Sequence, residues 1–190
     1  MRNYIRITSA AALLAGAAGA AVVLEEDFEG AKFPPAGWEK VEVKGTWTRE
    51  HVGAPYNWCA YFYSYAYVGG QGTLRTTGLP LATNDYYVSF VYRYRGEPAA
   101  GTTAAAVRVE RQEGAAWIPV AEHELAKSST FRDFGFGFAL AKEETCRLLY
   151  YASAEKDAIV FFRVDDVLWE SGPFTAAAPA SLGRVKALYY

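Results

Sequence analysis

From Val22 onward, apolar and polar residues alternate in short runs separated by glycine, proline and polar clusters. That is the period of strands whose successive side chains point to opposite faces. Val22 to Phe28 is the first run; it ends at Gly30 and Pro34-Pro35-Ala36-Gly37, where proline removes donors and glycine permits a turn. Trp38 to Val43 alternates, and Lys44-Gly45 reads as a hairpin-like turn into Thr46 to Glu50. Tyr86 to Tyr94 is apolar on both faces, as in a central strand covered on both sides. Ala105, Val107 and Val109 alternate with Arg108, Glu110 and Gln112, and Trp117 to Glu124 reads as the hairpin partner across Glu113-Gly114. Phe131 to Leu140, Thr145 to Tyr151 and Ile159 to Trp169 complete the set; only Ala139 to Glu144 or Ala121 to Lys127 suits a short helix. About ten to twelve short strands predict an all-β chain, a jelly-roll β-sandwich of two antiparallel sheets.

Two stretches carry unusual chemistry. In Ile159 to Trp169 two adjacent acids, Asp165 and Asp166, interrupt an otherwise apolar strand, so one of them must share a face with large apolar neighbours. A buried carboxylate needs a cation, a metal or several backbone donors. Further upstream, Tyr61, Tyr63, Tyr65 and Tyr67 fall on one face of a strand, with Phe62, Ser64, Ala66 and Val68 on the other. Packing inside the sandwich or against a neighbouring strand is the simpler reading of this ladder, and a ligand platform is the alternative.

Composition narrows the classes. The chain has 190 residues, 52% of them apolar, enough for one well-filled core, and its net charge of -2 with scattered signs argues against nucleic acid or an anionic membrane surface as partner. Residues 1–20 read as a signal peptide: Arg2 and Arg6, an Ala- and Leu-rich run, then Ala18-Gly19-Ala20. No membrane insertion is expected after its removal. Residues 21–172 read as the sandwich, and 173–190, which follow Gly172 and open on Pro173 and an alanine-rich stretch, read as a linker and the start of a further module. Cys59 and Cys146 either pair, which would stabilise the fold by roughly 4 kcal/mol, or remain buried thiols.

Three ordered pieces resemble the choice-of-anchor J domain and the related cleaved adhesin domains of bacterial surface proteins. They are Asp27-Phe28-Glu29-Gly30 with Phe33-Pro34-Pro35-Ala36-Gly37-Trp38, the central Asn84 to Tyr94, and Val107 to Trp117 with the closing Arg163-Val164-Asp165-Asp166-Val167. The resemblance covers about Leu24 to Glu170. It implies a MAM-like or carbohydrate-binding-module-like jelly roll on an exported multidomain protein, with a structural calcium where the first and last strands meet. Its ligands here would be Glu29 and Asp165 or Asp166, with Asp27 as a further one. Calcium favours such mixtures of carboxylates and backbone carbonyls, and extracellular modules need affinities only on the order of 0.1–1 mM. The tail from Pro179 to Val185 is similar to the linker and first strand that lead into a fibronectin type III module, which points to further domains of a longer parent chain.

Catalytic signatures are weak. His123-Glu124-Leu125-Ala126-Lys127 lacks the second histidine of a helical zinc site, no glycine-framed serine occurs, and Glu122 with Glu124 reads as a solvated hairpin face rather than a glycosidase pair. The leading expectation is an exported, non-catalytic adhesin-type module at the cell surface that binds carbohydrate or an extracellular host or matrix protein. Tyr56, Trp58 and Tyr61 are the candidate ligand contacts, because flat aromatic faces stack on sugar rings. A structural spacer of a secreted peptidase or surface protein is the alternative; a jelly-roll glycosidase comes third.

Overall fold

The computed structural model describes residues 20–53, 56–65, 67–98 and 101–172. The predicted signal segment, apart from Ala20, and the predicted linker lie outside the described residues, so neither is tested. Twelve strands form: β1 (Ala21–Glu26), β2 (Trp38–Val43), β3 (Gly45–Gly53), β4 (Asn57–Ser64), β5 (Gly70–Thr76) and β6 (Leu79–Leu81) in the first half. They are followed by β7 (Asn84–Glu97), β8 (Thr103–Glu113), β9 (Ala116–Glu124), β10 (Arg132–Leu140), β11 (Glu144–Ala154) and β12 (Ile159–Ser171). Neither suggested helix exists among the described residues: Ala121 to Glu124 belongs to β9, Ala139 and Leu140 end β10, Glu144 opens β11, and the rest are connections.

The strands divide into two six-stranded sheets. The first runs β10-β7-β12-β4-β3 with β1 also on β12, and the second runs β2-β5-β11-β8-β9 with β6 also on β11. Every pairing is antiparallel. β8 and β9 form the predicted hairpin across Glu113 and Gly114. The Lys44-Gly45 turn corrects the sequence reading: β2 pairs with β5 and β3 with β4, so the turn passes the chain from one sheet to the other and is not a hairpin. Lys44 takes a positive φ of 56°, and the Glu42 carboxylate accepts from the Trp47 amide and, at 3.2 Å, from the Thr46 hydroxyl. Local alternation is the same for a hairpin and for a sheet-to-sheet corner, so only the pairing partners separate them.

The inner faces meet in an aromatic core. Phe90 of the first sheet meets Tyr150 of the second edge to face at 5.0 Å between ring centroids, and Trp47 contacts Phe62 at 5.4 Å and Phe162 at 5.9 Å. Gly72 makes room for this cluster, since a Cβ there would lie 2.3 Å from Phe62.

Cys59 on β4 and Cys146 on β11 stand in different sheets as buried free thiols, which resolves the alternative left open by the sequence. Burial pushes Cys59 up to about 12 and Cys146 up to about 11, so little reactive thiolate forms near neutrality. Neither should react with an aromatic disulfide reagent at pH 8 until the chain is unfolded, when both should react; prompt labelling of either in the native chain would contradict this placement.

Candidate functional site

The closing strand changes partners halfway along one edge. β12 pairs with β4 over Phe161 to Val164 and with β1 over Val167 to Ser171, while its ladder with β7 shifts register between Asp165 and Leu168. The acids occupy this handover, a bulge where an extra residue bends the strand. Asp166 adopts φ 49°, a left-handed conformation that Asp tolerates better than most residues, and its amide donates to Asp165 Oδ1 at 2.8 Å. Both side chains are buried. Strict alternation required only one to be inside; the bulge and the changing strand partners place both there.

The first strand delivers the other predicted ligands to the same region. Glu26 pairs with Val167, so Asp27 follows directly beside the bulge. Phe28 takes φ 51° and turns into the core, where its ring meets Phe33 at 6.3 Å and Trp38 at 5.7 Å. Carboxylates cap this turn: Glu26 Oε1 accepts from the Phe28 amide at 2.7 Å and Asp27 Oδ1 from the Glu29 amide at 3.1 Å. Burial, with the neighbouring Asp27 charge, pushes the Glu26 carboxyl up to about 7. Glu29 reaches elsewhere: its Oε1 accepts from the Trp58 amide at 3.3 Å, and its carbonyl accepts from Arg49 at 3.2 Å.

Among the described residues no three His, Cys, Asp or Glu side chains gather as a metal-holding group. The four predicted ligands therefore do not form a carboxylate cage. The donor chemistry still suits a hard cation: two adjacent buried carboxylates, next to a turn with main-chain carbonyls, are the mixture that calcium takes. Asp27 is engaged in capping the turn and Glu29 in accepting from the Trp58 amide, which leaves Asp165 and Asp166 as the carboxylates suited to a cation.

The predicted ligand contacts divide between two places. Tyr56 packs on Phe131 at 4.5 Å, near the acids: burial first, then the charges of Asp133, Asp166 and Asp165, raises its hydroxyl above the ordinary range. Trp58 is half-buried, with the Arg49 guanidinium 4.0 Å above its ring and His51 edge-on at 5.1 Å. Tyr61 stands three residues further along the strand and on the opposite face. It belongs to a half-buried, outward-facing arrangement on the outside of the first sheet, of which Tyr65 is the exposed end.

That outer face consists of two cross-strand rows. Register sets Arg93 of β7 beside Arg163 of β12, beside Tyr61 of β4, beside Thr48 of β3; the next row is Arg95, Phe161, Tyr63 and Thr46. Tyr61 and Tyr63 stack at 5.7 Å, and Tyr63 meets Tyr65 edge to face at 5.4 Å. Arg163 lies 4.4 Å from the Tyr61 ring and Arg95 5.6 Å from that of Phe161. The ladder thus faces out, while Ala60, Phe62 and Ser64 fill the interior; of the two packings expected, inside the sandwich is excluded, and Tyr61 lies instead against Arg163 of the neighbouring strand. It ends at Tyr65, since Tyr67 lies in a turn beyond the strand. Phe161, Arg93 and Arg95 were not singled out from sequence. The signal was present in Tyr92-Arg93-Tyr94-Arg95, where alternating arginines mark a wet face at the end of a strand that otherwise reads as covered on both sides.

The outside of the second sheet differs. Its open groove of about 400 Å³, lined by Val43, Gln71, Thr103, Tyr151, Ser153 and Glu155 among others, holds a single aromatic ring. Glu122, the glycosidase candidate, is exposed and ion-paired with Arg108.

No family model matches the sequence, and neither does any curated protein. Solved structures do match in fold. The CBM22-1 xylan-binding domain of Paenibacillus barcinonensis Xyn10C aligns with a TM-score of 0.55 at 12% identity, covering 84% of this chain and 100% of that one. The K3 cleaved adhesin domain of Lys-gingipain from Porphyromonas gingivalis gives 0.51 at 17%, covering 81% and 100%. The family 11 carbohydrate-binding module of Clostridium thermocellum, in complex with a β-1,3-1,4-mixed-linked tetrasaccharide, gives 0.52 at 11%, covering 84% and 99%. The chain has the jelly-roll β-sandwich fold of carbohydrate-binding modules and of a cleaved adhesin domain.

Proposed function

We propose that the chain is an exported, non-catalytic module of adhesin type, akin to choice-of-anchor J domains, that binds carbohydrate on the outside of its first sheet. The observation that carries this reading is the Tyr61-Tyr63-Tyr65 stripe flanked by Phe161. Aromatic rings stacked on one another along a strand supply apolar area at little entropic cost, and the Tyr63 and Tyr65 hydroxyls, 3.4 Å apart, keep capacity for further hydrogen bonds to sugar hydroxyls. The same fold in a xylan-binding domain and in a tetrasaccharide-bound module makes carbohydrate the first class to test. An extracellular protein is the second partner class.

Where calcium is bound, Asp165 and Asp166 would hold it with main-chain carbonyls of the adjoining turn. It would neutralise two buried charges and tie the last strand to the first, a structural role that leaves sugar recognition to the platform.

Affinity electrophoresis of the 190-residue chain through a panel of polysaccharides tests the main reading. At least one should retard it, and Tyr63→Ala should weaken that binding roughly tenfold or more, as loss of a central aromatic contact does. Trp58→Ala should change it little, because Trp58 lies on the other face. Absence of retardation by every polysaccharide would favour the spacer.

A further inference from the structure

The arginines of the platform are unevenly matched. Arg163 pairs with Glu50 and Arg95 with Glu97, but Arg93, between them, makes no ion pair among the described residues: it feels the Glu50 charge only at a distance, and its Nε, closed to solvent, has no acceptor, which leaves its terminal nitrogens as the donors for a ligand. Its guanidinium is half-buried beside two like charges, and the burial, Arg163 and Arg95 each weaken its hold on its proton. A planar donor fork in this position is matched by a carboxylate, which it can grip through two parallel hydrogen bonds.

Resting on the carbohydrate-binding reading, we infer that the platform takes an acidic polysaccharide: Arg93 receives a uronate carboxylate while Tyr61, Tyr63 and Phe161 carry the sugar faces. Neighbouring strands lie about 4.8 Å apart and same-face residues along a strand about 6.8 Å apart, so charge and rings lie within one flat surface that an extended sugar chain can span. An acidic peptide fits this surface less well. Peptides that bind sheets add to an edge strand through its unpaired backbone, whereas β7, β12 and β4 are interior strands with neighbours on both sides. A nucleic acid backbone is gripped by a row of free cations, whereas Arg163 and Arg95 are already paired with Glu50 and Glu97, so this face offers one arginine without an ion pair rather than a track for phosphates.

The test measures binding of the 190-residue chain to polygalacturonate, to the same polymer with its carboxylates methyl-esterified, and to neutral xylan and galactan, at low and high salt. Polygalacturonate should bind, weaken as salt rises, and lose affinity on esterification without any change in the protein. Arg93→Gln should weaken it roughly ten- to a hundredfold, the loss expected for a charge-assisted hydrogen-bond pair. The thermal midpoint of that variant should not fall, because a cation repelled by two neighbours is removed. Equal binding of the esterified polymer would overturn the inference, as would full competition by polyglutamate, which would show anion binding without sugar recognition. If xylan or galactan binds in a Tyr63-dependent way and polygalacturonate does not, this inference fails and the module reading survives. If no polysaccharide binds, both fall.

Discussion

Replacing Trp169 by alanine is expected to destabilise the chain by about 3–5 kcal/mol, the range for removing a large aromatic from a close-packed core. Trp169 is fully buried just beyond the acid bulge, edge-on to Phe138 at 5.9 Å and to Tyr86 at 6.5 Å. Its indole N–H has no hydrogen-bond partner among the described residues, so the loss is one of packing. Trp169→Phe should therefore cost much less, about 1.5 kcal/mol or below, because most of the volume remains and an unpaired donor disappears. Urea unfolding followed by tryptophan fluorescence and circular dichroism measures both. Equal midpoints for wild type and Trp169→Ala would mean that this ring does not hold the closing strand onto the core.

Calcium should raise the thermal midpoint of chelator-treated protein. A ligand that binds only the folded state at ten times its dissociation constant contributes about 1.4 kcal/mol, roughly 3–6 °C for a domain of this size. Asp166→Asn should abolish the shift. Asparagine is chosen because residue 166 has φ 49°, which Asn tolerates and alanine does not, so the change removes charge without straining the bulge. In chelator the same variant should be more stable than wild type, since it removes one of two adjacent buried carboxylates. An unchanged wild-type midpoint across calcium concentrations would remove the metal reading and leave the sugar platform untouched.

The two expectations concern different chemistry and were legible to different degrees. Asp165 and Asp166 were visible as acids inside an apolar strand, because burying a carboxylate is costly enough to stand out in any sequence. The resemblance to adhesin domains named Asp27 and Glu29 as their companions, and the β1–β12 pairing does bring that segment beside the bulge. What could not be read was that Glu29 turns to the Trp58 amide, or that β12 exchanges β4 for β1 at the acids. Strand partners are long-range choices that leave no local trace. Likewise Tyr56, Trp58 and Tyr61 share the aromatic chemistry that suits sugar rings, but Tyr56 precedes β4 and packs on Phe131, while Trp58 and Tyr61 fall on opposite faces of that strand.

By itself the sequence determined the fold class, the positions of most strands, the β8–β9 hairpin and that at least one of Asp165 and Asp166 is buried. Each follows from local physics: period-two alternation, turn residues and the cost of burying charge. The tertiary structure decided which sheet each strand joined, that Lys44-Gly45 crosses between sheets, that both cysteines stay apart, and that the tyrosines look outward beside Arg93. Alternation specifies two faces but not which one meets the other sheet; that depends on the apolar surface lying opposite, contributed by strands far away in the chain.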